Sequence, residues 1–133
     1  MWLDSTEMSK WSYEYCRVVE DDPDIRSLIT DPLWAFHYCS SIKDRPEVRK
    51  HITDNKYSYM YCIYVKDDPE VRKYINDSTW AFNYCNNIKD RPEVRKHITD
   101  STWAYKYCKY VKDRPEVRKY ITDKKWNKLY YKN

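Results

Sequence analysis

The chain has 133 residues, of which 25 are Lys or Arg and 21 Asp or Glu, for a formal charge of +4. Charged residues are 35% of the total and no apolar run approaches the roughly 18 residues of a membrane span, so no membrane-spanning helix is expected. Gly is absent while Cys occurs five times, so any repeated turn must be built without glycine.

The first residues, Met1-Trp2-Leu3-Asp4-Ser5-Thr6-Glu7, lack the basic-then-apolar order of a signal peptide, and an intracellular, cytoplasmic location is the expectation. From here a 23-residue period takes over. Cysteines stand at Cys16, Cys39, Cys62, Cys85 and Cys108, prolines at Pro23, Pro46, Pro69, Pro92 and Pro115. Aromatics follow at Trp11, Trp34, Tyr57, Trp80, Trp103 and Trp126. A fixed period of this size marks stacked supersecondary units whose apolar faces are buried only against their neighbours. The expected division is a single helical-repeat domain with a cap over 1–10, repeats at 8–30, 31–53, 54–76, 77–99 and 100–122, and a C-terminal cap over 123–133.

One unit, Asp77 to Thr99, gives the pattern. Asp77 is placed to cap a first helix in which Trp80, Ala81, Tyr84, Cys85 and Ile88 share one buried face. Asp90-Arg91-Pro92-Glu93 predicts a second start, with Asp90 as cap, Pro92 in the first turn and Glu93 completing a capping box. Val94 and Ile98 then supply the buried edge of a short second helix, and Asp100 caps the next unit.

The repeated columns read as structure first. Equivalent cysteines on stacked helices lie about 8–10 Å apart, too far for a disulfide, and no C-x-x-C pair or neighbouring His suggests zinc. The arginines Arg26, Arg49, Arg72, Arg95 and Arg118 read as a ladder between neighbours, and the tyrosines Tyr15, Tyr38, Tyr61, Tyr84 and Tyr107 as core. Units also alternate: Phe36, Ile42 and His51 match Phe82, Ile88 and His97, whereas Tyr59, Tyr64, Val65 and Tyr74 match Tyr105, Tyr110, Val111 and Tyr120. A duplicated 46-residue pair with complementary packing accounts for this. Before Trp11 the first helix is expected to extend, and after Asp123 one helix covers the array with Trp126, Leu129 and Tyr130.

Asp90-Arg91-Pro92-Glu93-Val94-Arg95 and its sister copies resemble the D-x-P-E-V-R segment of leucine-rich variant repeats and some HEAT-like units. Trp80-Ala81-Phe82-Asn83-Tyr84-Cys85-Asn86-Asn87-Ile88-Lys89 is similar to W-A-x-x-Y-A-x-x-V-I-K repeats of phage, large-DNA-virus and bacterial proteins, with Cys in place of Ala. The resemblance covers roughly residues 11–126 and implies an all-α fold, an α-solenoid of five two-helix units plus a capping helix. A shorter unit, Trp and Tyr for Leu, and no cysteine cluster ahead of the array separate this chain from the iron–sulfur members. Richness in Lys, Asn, Tyr, Ile and Asp is what A+T-rich genomes encode and suggests a phage or viral source.

Slots that differ between units are candidates for recognition. On the first helices, at i, i+3 and i+4, they hold Glu14, Arg17 and Val18, then His37, Ser40 and Ser41, Met60, Ile63 and Tyr64, Asn83, Asn86 and Asn87, and Lys106, Lys109 and Tyr110. This strip is expected on the side away from Trp and Cys, with its apolar members anchoring a protein partner. Nucleic acid is the rival. Charge balances −4 over residues 1–30, +2 over 31–99 and +6 over 100–133, where Lys106, Lys109, Lys112, Lys124, Lys125, Lys128 and Lys132 cluster. Neither a phosphate loop nor an activated nucleophile nor a metal cluster is legible, so no enzyme activity, cofactor or metal is expected. The reading is a non-catalytic scaffold, an inhibitor or adaptor of viral type covering a host protein, with head-to-tail self-assembly as a further alternative.

Overall fold

The computed structural model describes residues 3–131; Lys132, counted above in the basic stretch, lies outside the described residues. Regular structure there is entirely α-helical. Five helices of ten or more residues, α1 (Ser5–Val18), α3 (Pro32–Ser41), α5 (Asn55–Tyr64), α7 (Ser78–Asn87) and α9 (Ser101–Tyr110), are each followed by one of four residues. The short ones are α2 (Pro23–Arg26), α4 (Pro46–Arg49), α6 (Pro69–Arg72), α8 (Pro92–Arg95) and α10 (Pro115–Arg118), and α11 (Lys124–Tyr131) comes last. The chain divides into two compact units, Met1–Tyr74 with α1 to α6 and Ile75–Asn133 with α7 to α11. Each long helix packs on its own short partner. In the first unit α1 also packs on α3 and α3 on α5; in the second, α7 packs on α9 and α9 on α11.

Aspartates start the long helices. The carboxylates of Asp4, Asp31, Asp54 and Asp100 accept amide N–H groups of the first turn, and Asp123 accepts from the Lys125 amide at 2.9 Å. Asp77 stands at the same backbone position but makes no such cap bond. Proline opens every short helix, where its missing N–H would be unsatisfied in any case. After it the chain tightens into i→i+3 turns, as where the Ile52 amide donates to the Arg49 carbonyl at 2.9 Å. Among the described residues no φ is positive, which is why the turns need no glycine.

The core is a set of columns. Tyr38, Tyr61, Tyr84 and Tyr107 are fully buried, as are Ile29, Ile52 and Ile98, with Val48, Val71, Val94 and Val117 nearly so. Each Val or Ile contributes about 1.5–3 kcal/mol by leaving water. All five cysteines are buried unpaired thiols; burial pushes Cys39, Cys62 and Cys85 up to about 12. The tryptophans differ from expectation. Trp34, Trp80 and Trp103 are half-buried, because they sit at the edge of the apolar stripe whose centre is taken by Ala35, Ala81 and Ala104 and the tyrosines.

The second start signal also resolves differently. In Asp-Arg-Pro-Glu the residue directly before proline is Arg45, Arg91 or Arg114; each is the N-cap and none provides a side-chain cap bond. Asp44, Asp90 and Asp113 are one position too early to cap, so Glu93 does not close a capping box. In Asp-Asp-Pro the second aspartate does cap: Asp22 accepts from Asp24 and Ile25, and Asp68 from Glu70.

Candidate functional site

The aspartate displaced from capping has other partners. Asp21 accepts the Tyr38 hydroxyl of the next long helix at 2.7 Å, Arg26 Nε at 3.1 Å and Arg45 Nη2 at 3.1 Å, while Arg45 Nε also donates to the Tyr38 oxygen at 2.8 Å. Asp44 repeats this with Tyr61 at 2.7 Å and Arg49 at 3.0 Å. In the second unit Asp90 takes Tyr107 at 2.8 Å, Arg95 at 3.1 Å and Arg114 at 3.1 Å. One carboxylate therefore ties together its own short helix and the following long helix, satisfying a hydroxyl that the buried tyrosine carries into the core. Burial opposes the charge on Asp21 and Asp44, but the bonds from Tyr38 and Arg26, and from Arg49 and Tyr61, outweigh it and hold both carboxyls below their ordinary range. The same clasp, with burial first, pushes the Tyr38 hydroxyl up to about 12. The arginine column is thus structural, joined to neighbours also through Arg26 to Glu47 at 3.4 Å and Arg95 to Glu116 at 3.5 Å.

Serines make a second tie. Ser9 Oγ accepts the amides of Thr30 and Asp31, both at 3.0 Å, and Ser78 and Ser101 do the same for Thr99 and Asp100 and for Thr122 and Asp123. A hydroxyl in the second turn of α1 and at the first residue of α7 and α9 receives the turn leading into the next helix.

Against this rigid background the variable slots can be placed. In the first unit His37, Ser40 and Ser41 lie on α3 beside Met60, Ile63 and Tyr64 on α5; in the second, Asn83, Asn86 and Asn87 lie on α7 beside Lys106, Lys109 and Tyr110 on α9. The i+3 and i+4 slots are exposed, and Tyr64 (70%) and Tyr110 (61%) are among the most exposed large side chains. The first slot is different. His37, Met60, Asn83 and Lys106 are half-buried, and His37 and Lys106 lie against Trp34 and Trp103, not away from them. His37 packs 5.3 Å from the Trp34 ring and Lys106 Nζ sits 4.4 Å over Trp103, since residues three apart are neighbours on a helix. The indole N–H of Trp34 is buried without a hydrogen-bond partner.

Lys109 reaches two rings, Tyr110 at 5.3 Å and Tyr105 at 5.7 Å. It lines a groove of about 200 Å³ with Tyr105, Leu129 and Tyr130, three residues the strip does not include. The 46-residue alternation has a structural counterpart as well. A groove of about 260 Å³ between α4 and α6, lined by Arg49, Lys50, Lys73 and Tyr74, recurs at about 180 Å³ between α8 and α10 with Arg95, Lys96, Lys119 and Tyr120. All three are below the roughly 300 Å³ at which a drug-sized ligand becomes enclosed. Among the described residues no group of His, Cys, Asp or Glu is arranged to hold a metal ion, and no helix is long and apolar enough to cross a membrane.

No family model matches the chain, and no curated protein and no solved structure matches it. The likeness to leucine-rich variant, HEAT-like and viral repeats rests on the Asp-x-Pro-Glu-Val-Arg and Trp-Ala-x-x-Tyr segments alone.

Proposed function

We propose that the chain is an α-solenoid of five 23-residue units and a capping helix that works as a non-catalytic scaffold, binding another protein along the exposed slots of its long helices. The observation that carries this reading is the contrast within single helices. On α5, Tyr61 and Cys62 are buried and Tyr61 is clasped by Asp44, whereas Tyr64 stands in solvent and Ile63 is 38% exposed. On α9 the same contrast separates Tyr107 and Cys108 from Lys109 and Tyr110. Aromatic and aliphatic side chains held out by a rigid frame meet a partner at low entropic cost and are the residue types that carry binding energy. Function follows as steric cover or recruitment, the work of an inhibitor or adaptor.

The second reading, nucleic acid, is favoured by Lys106 and Lys109 beside Trp103, Tyr105 and Tyr110, a combination suited to phosphate contact and base stacking. Charge reversal separates the two. Lys106→Glu with Lys109→Glu abolishes a nucleic-acid complex and flattens its salt dependence, but only weakens the edge of a protein interface centred on Ile63 and Tyr64. Retention of a protein partner by a folded Ile63→Asp, Tyr64→Asp variant contradicts the protein-binding proposal.

A further inference from the structure

Within each unit a ring on one long helix receives a ring from the next: Trp34 sits on Tyr13 at 5.5 Å, Tyr57 on Phe36 at 6.1 Å, Trp103 on Phe82 at 5.3 Å and Trp126 on Tyr105 at 4.8 Å. Trp11 holds the donating position on α1, yet it is 66% exposed. With Met8, Tyr15, Ile25 and Leu28 it lines an almost wholly apolar groove of about 230 Å³. On α11 the receiving position, 23 residues after Tyr105, is Lys128, flanked by exposed Leu129 and Tyr131.

The charges around these two faces have changed in opposite senses. Where the loops after α3, α5, α7 and α9 carry Lys43, Lys66, Lys89 and Lys112, the loop after α1 carries Glu20; of the acidic side chains of residues 1–30, Asp4 and Asp22 cap helices, Asp21 lies in the clasp and Glu14 pairs with Arg17, while Glu7, Glu20 and Asp24 stand exposed. The α11 face instead offers Lys124, Lys125 and Lys128, all exposed. Lysines over indole rings are already a packing device of this chain, with Lys106 at 4.4 Å from Trp103 and Lys125 at 4.9 Å from Trp126.

From this complementarity we infer that the occupant of the α1 groove is a second copy of the chain, whose α11 lays Lys128 over Trp11 and its lysines beside Glu20. The contact is heterologous, since different surfaces meet, so copies add head to tail, into a ring if the rotation between them closes and into a filament if it does not. It uses neither Ile63 nor Tyr64, and its failure leaves the proposed partner strip untouched, as failure of the strip leaves this contact untouched.

The test is light scattering of the purified chain from about 10 μM to about 1 mM, at low salt and in 0.5 M NaCl, with Trp11→Ala and Lys128→Glu variants checked for helicity. Weight-average mass rises with concentration for the wild type and less at high salt. Each variant alone associates about thirtyfold more weakly, the loss that an interface anchor carries. The decisive result comes from mixing. Trp11→Ala retains a sound α11 face and Lys128→Glu a sound α1 face, so together they form a 1:1 complex that grows no further. A wild type monomeric across the range, a variant that self-associates like the wild type, or a mixture that forms no complex overturns the inference. A Lys128→Gln variant separates loss of the cation from introduction of a repelling carboxylate: its association falls as well if the cation is what binds, and stays at the wild-type level if the inference is wrong.

Discussion

Removal of the Tyr61 hydroxyl tests the clasp between consecutive units most cleanly. Tyr61→Phe leaves the fully buried ring in place and deletes only the 2.7 Å bond to Asp44, which keeps Arg49 at 3.0 Å. A hydrogen bond to a charged acceptor contributes about 1.5–3 kcal/mol. Asp44 is about a fifth exposed, so water recovers part of the loss and the lower end applies, about 1.5–2 kcal/mol. That corresponds to a fall in Tm of roughly 5–8 °C for a chain of this length. Asp44→Asn costs more, because the Arg49 pair goes too, and the double variant costs less than the two losses added. Urea unfolding of all four proteins at pH 7 gives the coupling energy, expected at about 1–1.5 kcal/mol. Coupling within about 0.5 kcal/mol of zero refutes the clasp as a source of stability.

The same groups set the pH range of the fold. Burial and the Asp21 bond raise Tyr38 to about 12, so its share of stability is complete below pH 10 and is lost as pH climbs from about 10 to about 12. Burial, then Lys50 and Lys96, lowers His51 and His97, whose contribution is present above about pH 6.5 and declines as pH falls below it; Asp21 and Asp44, held low, lose theirs below about pH 4. The buried thiols of Cys39, Cys62 and Cys85, raised to about 12, lose their share as pH climbs above the roughly 8.5 of an unfolded cysteine, so melting temperature against pH should show a plateau between about pH 7 and about pH 8.5, and a maximum below pH 6 contradicts these assignments. Ser101→Ala removes two exposed bonds from the Thr122 and Asp123 amides, of which Thr122 keeps the Tyr120 carbonyl, and lowers stability by about 0.5–1.5 kcal/mol in urea titration; an unchanged midpoint shows that the hydroxyl does not hold the turn. Native cysteines should react with a thiol reagent far more slowly than in denaturant, where all five label, and rapid native labelling of even one contradicts its burial.

Much of the architecture is legible in the sequence because the features that build it are local. Aspartate before each long helix and proline at the head of each short one place the helices within a residue or two, and the Tyr, Cys, Val and Ile columns mark the core, except that Tyr15, expected there with the other tyrosines, is exposed because no preceding helix covers α1. The clasp is not legible in the same way. Asp44 and Asp90 stand two residues before proline, where a cap is the natural reading, and their tyrosine partners lie 17 residues away on another helix. The step from Asp-Arg-Pro to Asp-Asp-Pro, which decides whether a cap forms, was visible in the sequence and distinguishes the units. Trp80 lies at the edge of its stripe and is half-buried, because helical periodicity assigns a stripe but not its edges. His37 and Lys106 lie on the tryptophan side for a related reason: three residues beyond Trp34 and Trp103, they share the flank of those rings. The exposure of Ile63 and Tyr64 beside buried Cys62 follows from that geometry once the stripe's width is known.

The partner strip is tested most directly by capture from cell extract with the tagged chain and its Ile63→Asp, Tyr64→Asp variant, each with and without nuclease. A protein retained in fixed stoichiometry by the wild type, resistant to nuclease and absent from the folded variant, is the predicted result. Equal retention by the variant, or loss of every partner on nuclease treatment, contradicts it.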